Sequence, residues 1–147
     1  MDTKIKEDLF RYYYFTNACS ILNEFNLSKQ EVMALVITYE LSQVNKKVSL
    51  KDIREKMELS KPSMSILMSK LEKKGYLERH LNKENLREIY VQLSSYSMEI
   101  AKKTIKKINE RIESIIEKMG INEVQKLIEL NNEFKIISKE VMEEKTC

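Results

Sequence analysis

At Gly75 the spacing of apolar residues changes, and this restricts the fold more than any other feature of the chain. Before it, Met64, Leu67, Met68 and Leu71 recur at three and four, the period of a helix with one buried stripe. Beyond it, Ile89, Val91 and Leu93 alternate with Glu88, Tyr90 and Gln92, the period of a strand with one packed and one wet face. Tyr76, Leu77 and Leu81 border an earlier strand, and the polar run Asn82, Lys83, Glu84, Asn85 separates the two. Two apolar-patterned strands with a charged tip predict a projecting β-hairpin. Gly75 suits the left-handed residue that ends the preceding helix.

Helical signals surround this hairpin. In 5–25, Ile5, Leu9, Tyr12, Phe15, Cys19 and Leu22 stack on one face, and Asn26 is a natural stop. Ser28 and Glu31 form a capping box before a helix carrying Val32, Leu35, Val36, Tyr39 and Leu41. Ser49 opens a short helix with Leu50, Ile53 and Met57 inside; Leu59 and Ser60 make a tight junction. Ser60 then caps the next helix, with Pro62 in its first turn, where a missing N–H does no harm. Ser94 caps a long helix whose Met98, Ala101, Ile105, Ile108, Ile112, Ile115 and Met119 step by three and four as an a/d seam. Gly120 breaks it. Asn122 to Gln125 read as the cap of a last helix with Val124, Leu127, Ile128, Phe134, Ile137 and Val141.

Composition narrows the function. With two Gly and one Pro in 147 residues, the turn-rich all-β folds are excluded. No glycine-rich phosphate loop is present. One His, and Cys19 far from Cys147, suggest neither a zinc motif nor a disulfide framework, so no metal and no cofactor is expected. No apolar run reaches membrane-spanning length, and the N-terminus lacks a signal-peptide core, which points to a soluble cytoplasmic protein. No acid–base pair or nucleophile constellation supports an enzyme, so no catalytic residues are expected.

The net charge of +3 is unevenly placed. Between Lys46 and Glu88 stand twelve basic and seven acidic residues, a surplus of +5 that leaves −2 for the two ends. A basic middle on a near-neutral scaffold suits a polyanion-binding unit, and a solvated Lys-rich face is the plainer reading.

Two short helices, tightly joined, followed by a hairpin with a basic tip make a winged helix-turn-helix. The fold is therefore mainly α, with a short β-hairpin wing. A B-DNA major groove admits one helix, and a hairpin beside it can reach the next minor groove. With the Met64 stripe inward, the outward residues of the helix are Lys61, Pro62, Ser63, Ser65, Ile66, Ser69, Lys70 and Lys73. Small hydroxyls let a helix sit deep in a groove, and lysines can meet phosphates. This face has no Arg, Asn or Gln for bidentate base reading. Specificity would lean on serine contacts, Ile66 against a thymine methyl, the wing and DNA shape. Lys46, Lys47, Lys51 and Arg54, with Lys70 and Lys73, are candidate phosphate contacts or ordinary surface charge.

The run LSKPSMSILMSKLEKKGYLERHLNKENLREIYVQLSSYSMEIAKK resembles the core of the MarR family of bacterial transcriptional regulators, and LSKQEVMALVITYE resembles that family's second helix. The resemblance implies a homodimer binding double-stranded DNA at a pseudo-palindromic operator, more often as a repressor. Residues 1–27 and 94–147 would be the long N- and C-terminal dimerisation helices, and 28–93 the DNA-binding domain. In the wing, Arg79, Lys83, Asn85 and Arg87 are the candidate contacts. The family's D-x-R pattern is similar to Asn85-Leu86-Arg87, which carries the minor-groove role to Arg87. Asn85 replaces the family's Asp, and its neutral bond would hold Arg87 roughly half as strongly.

The resemblance also brings regulation into view. Tyr12 and Tyr13 either pack in a dimer core or line a pocket for a small aromatic or phenolic effector. Cys19 would be a redox switch, but no cation stands within four residues to lower its pKa, which favours a buried thiol. His80 is read as a hairpin residue, with a phosphate or pH role as the alternative. The competing class is a helical protein-interaction module without specific DNA binding. The basic middle and the hydroxyl-rich helix argue against it.

Overall fold

The computed structural model describes Lys4 and residues 25–146. The chain divides into two compact units, Cys19–Lys106 and Met1–Ala18 with Lys107–Cys147. The predicted helix over 5–25, with Tyr12, Tyr13 and Cys19, lies outside the described residues.

The first unit is built around α1 (Lys29–Val44). Its capping box forms as predicted: Ser28 Oγ accepts from the Glu31 N–H at 3.2 Å, and the Ser28 N–H donates to Glu31 Oε1 at 3.1 Å. The helix is not a one-sided stripe. Every residue from Glu31 to Thr38 is buried, so α1 is enclosed on nearly all sides. Tyr39, expected on the stripe, is only half-buried.

Strand β1 (Val48–Ser49) leads into α2 (Leu50–Met57). Ser49 serves both, pairing with Tyr90 and capping α2 through the Asp52 N–H at 3.1 Å. Helix α2 closes at Glu58, held at φ 55°, where the Leu59 N–H reaches Arg54 O at 3.3 Å. Helix α3 (Lys61–Lys73) follows, capped by Ser60, with Met64, Leu67, Met68 and Leu71 buried as the spacing predicted. It ends in a Schellman motif. Gly75 sits at φ 80°, its N–H bonds Glu72 O, and the Tyr76 N–H bonds Leu71 O.

The hairpin is β2 (Leu77–Leu81) and β3 (Ile89–Leu93), with Leu77 opposite Leu93 and Leu81 opposite Ile89. A two-stranded hairpin was expected; the sheet has three strands in the order β1-β3-β2. Two residues are too few to carry an alternation signal, which is why β1 was not read.

Helix α4 (Ser95–Met119) is capped by Ser94 through the Ser97 N–H at 3.2 Å. Its start is tied to the head of the hairpin, because Ser94 N–H and Ser97 Oγ both donate to Tyr76 O. The expected seam needs correction. Ile100, Ala101, Thr104, Ile108, Ile112 and Ile116 are buried, whereas Met98 and Met119 are exposed and Ile105 half-buried. A straight helix at 3.6 residues per turn drifts off a strict heptad, so the buried line moves across the a/d positions.

Gly120, at φ 92°, separates α4 from α5 (Ile121–Thr146). The cap expected at Asn122 is displaced, since α5 starts one residue earlier and the Val124 N–H bonds Gly120 O.

Candidate nucleic-acid interface

The outward side of α3 follows from its inward side. Burying the Met64 stripe leaves Lys61, Pro62, Ser63, Ser65, Ile66, Lys70 and Lys73 exposed, and Ile66 keeps 60% of its surface open. Ser69 is half-buried instead, because its hydroxyl accepts from Arg79 Nη2 at 3.3 Å. Ser63 Oγ takes part in the cap, accepting from Ser60 Oγ at 2.9 Å.

The acid on α3 is Glu72, and it is neutralised within the fold. Its Oε2 accepts from the Arg79 backbone N–H at 3.0 Å and from Arg79 Nε at 3.1 Å. The guanidinium hydrogen bond holds the Glu72 carboxyl below the usual carboxylate range, against the opposing effect of desolvation. The helix therefore presents Lys61, Lys70 and Lys73, which form no ion pair among the described residues, with no competing bare carboxylate of its own.

Arg79 is thus a strap between α3 and β2, not an outstretched wing cation. The seven-residue separation from Glu72 has no periodic signature, so the sequence ranked Arg79 only by its charge.

The wing tip is shaped by two asparagines. Asn82 Oδ1 accepts from the Glu84 N–H at 3.0 Å, and Asn85 Oδ1 from the Arg87 N–H at 3.2 Å. Both are Asx turns, in which a side chain substitutes for a backbone acceptor. Asn85 was expected to steady the Arg87 side chain; it holds the Arg87 backbone, and Arg87 and Lys83 are both exposed. At the base of the tip, Asn82 Nδ2 donates to Glu88 Oε2 at 3.0 Å and to Tyr90 Oη at 3.2 Å, while Tyr90 Oη donates to Glu88 Oε2 at 3.3 Å. Partial burial and the Glu88 carboxylate push the Tyr90 phenol above its ordinary range, so it stays a donor.

Of the other cations, Lys47 lies over the Tyr90 ring, 5.1 Å from its centroid. Lys51 approaches Glu55 at 3.9 Å across an exposed turn, and Lys46 and Arg54 form no ion pair among the described residues. His80 contacts Glu78 at 3.2 Å on the exposed side of β2. The Glu31–Lys74 bridge, at 2.8 Å, with Glu31 buried and Lys74 exposed, joins the start of α1 to the end of α3. No local pattern announces a pair 43 residues apart.

Among the described residues no group of three or more His, Cys, Asp or Glu side chains is arranged to hold a metal ion, and no helix is long and apolar enough to cross a membrane.

Helices α2 and α3 with the β2–β3 hairpin define a winged helix-turn-helix, a class of DNA-binding module. The model of the MarR family matches residues 27–89, the stretch that holds this winged helix-turn-helix. The fold is shared with solved regulators. MepR of Staphylococcus aureus in its DNA complex has a TM-score of 0.70 at 16% identity, covering 95% of this chain and 98% of that one. FabT of Streptococcus pneumoniae in complex with DNA gives 0.66 at 17% identity, covering 92% and 96%. NadR in complex with 4-hydroxyphenylacetate gives 0.65 at 21% identity, covering 91% and 92%. At these identities the likeness is one of fold. None of the curated proteins matches the sequence.

Proposed function

We propose that this protein is a DNA-binding transcriptional regulator of the MarR type, without catalytic activity of its own. It would act in the cytoplasm as a homodimer that occupies a pseudo-palindromic operator, as a repressor. The observation that carries this reading is the outward face of α3: Lys61, Ser65, Ile66, Lys70 and Lys73 are open to solvent, and the helix's acid is bound by Arg79. Such a face can enter a major groove without repelling phosphates. In this reading Ser63, Ser65 and Ile66 meet base edges, the lysines meet phosphates, and Lys83 and Arg87 reach the minor groove.

The dimerisation helices are assigned to 1–27 and 94–147. Helix α5 supports this with an exposed apolar stripe, Leu130, Phe134, Ile137 and Val141, spaced by four, three and four. A two-fold dimer would set its recognition helices about 34 Å apart, one turn of B-DNA. A small aromatic or phenolic effector, or oxidation of Cys19, would act by favouring a dimer geometry that misses this spacing. NadR, whose structure holds 4-hydroxyphenylacetate, gives a precedent for such a ligand on this fold.

A mobility shift on the DNA upstream of the protein's own gene tests the reading. A specific complex at two chains per site, weakened steeply by salt, is expected. Affinity indifferent to both sequence and salt would overturn it and favour the protein-interaction module.

A further inference from the structure

Between Leu81 and Ile89 every residue of the wing tip is polar or charged except Leu86. It is 73% exposed, so the fold gains little from its side chain. What sets it apart from an ordinary surface leucine is its place. The Glu88 N–H donates to Asn85 O at 3.0 Å, closing a turn whose two corner residues are Leu86 and Arg87. Asn85 Oδ1 accepts the Arg87 N–H within that turn, and the Asn82 N–H donates to Glu88 O at 3.0 Å, anchoring it on the hairpin. A held corner thus carries an apolar side chain next to an exposed cation.

That pair of chemistries matches one surface, the minor groove of DNA. The groove's negative potential attracts arginine, most strongly where it is narrow. Its floor admits apolar wedges, leucine among them, which enter between base pairs, partly unstack them and kink the duplex. The outward face of α3 makes such a device useful, since it has no Arg, Asn or Gln to read bases with paired hydrogen bonds. The cost of deforming DNA is a second source of discrimination, because pyrimidine–purine steps kink far more readily than others.

We propose that Leu86 is a minor-groove wedge: with Arg87 in the groove, it presses into a pyrimidine–purine step, kinks the duplex and selects for deformable sequence. This rests on the reading of the protein as a DNA-binding regulator, and adds to it a bent complex and a specificity-determining residue.

The full-length protein is tested on the DNA upstream of its gene, with bending read from circularly permuted fragments and the wing contact located by hydroxyl-radical cleavage. The wild-type complex is expected to bend by roughly 20° or more. Leu86→Ala should weaken it about tenfold, the effect of burying much of a leucine side chain, and reduce the bend. The slope of affinity against salt should stay unchanged, because no charge is lost. Leu86→Met, which keeps an apolar wedge, should preserve affinity and bend. Exchanging the pyrimidine–purine step at the wing contact for a purine–purine step should weaken the wild type and leave Leu86→Ala almost unaffected. Both variants should melt with the wild type, since the side chain is exposed. An unbent wild-type complex, or Leu86→Ala with wild-type affinity and bend, overturns the wedge and leaves DNA binding standing. No specific wild-type complex at all overturns the regulator reading and the wedge with it.

Discussion

One oxygen of Glu72, Oε2, receives both the backbone N–H and the Nε–H of Arg79. The same guanidinium also reaches Ser69 Oγ, so one arginine fixes the last turns of α3 against the first strand of the wing. If Arg79 positions α3 without touching DNA, Arg79→Ala and Glu72→Gln should both lower operator affinity, to a similar and modest extent. The slope of affinity against salt should stay unchanged. Were Arg79 a phosphate contact, Arg79→Ala would flatten that slope by about one. Glu72→Gln would then free the arginine and tighten binding, the opposite sign.

The strap shows where sequence reading stops. The buried stripe of α3, its Ser60 cap, the Gly75 stop and the strand alternation are local, so spacing alone placed them. That placement also settled which side of α3 faces outward. Arg79 and Asn85 were assigned by charge or analogy and Ser69 by its outward position, and their partners depend on how β2 lies along α3 and how the wing turns. The register slip in α4 has a similar origin. Several neighbouring positions there are apolar, and burial is decided by what packs against them.

Ser65 and Arg87 separate the two kinds of DNA contact. Ser65 stands exposed on α3, and its loss to alanine should cost about 1 kcal/mol on the operator with little change on random DNA. Arg87→Ala should cost more, about 1–3 kcal/mol, since the Asx turn at Asn85 fixes its backbone and leaves the guanidinium to the groove. Fluorescence anisotropy on matched operator and random duplexes measures both. Equal losses for Ser65→Ala on the two duplexes would remove it from base reading.

Glu31 gives a pH dependence. Burial raises its carboxyl pKa, but the Lys74 ammonium and the bonds with Ser28 outweigh this and hold it below the usual range. A carboxylate whose folded pKa is depressed contributes stability that is fully present above its unfolded value and is lost as pH falls through the folded one. Glu31→Gln should therefore cost about 1 kcal/mol at neutral pH, where cap and bridge are both weakened. The melting temperatures of wild type and variant should converge as the solution is acidified below the carboxylate range. A gap that stays constant with pH would assign the loss to packing alone.

The stripe on α5 tests the dimer. Leu130, Phe134, Ile137 and Val141 lie on one side of the helix, and Phe134 is 72% exposed. Apolar stripes of this kind are costly to leave in water and mark surfaces that are covered in the working assembly. A carboxylate at the centre of such a contact would be buried without a partner, which costs about 2 kcal/mol or more. Phe134→Glu is therefore expected to raise the dimer dissociation constant by roughly thirtyfold or more, the equivalent of that energy. Sedimentation equilibrium over a wide concentration range measures it. The winged unit, Cys19–Lys106, does not contain Phe134, so the variant should keep its wild-type helical signal while losing affinity for a two-half-site operator far more than for a single half-site. A wild-type chain that sediments as a monomer at every concentration, or a variant that dimerises unchanged, would remove α5 from the interface.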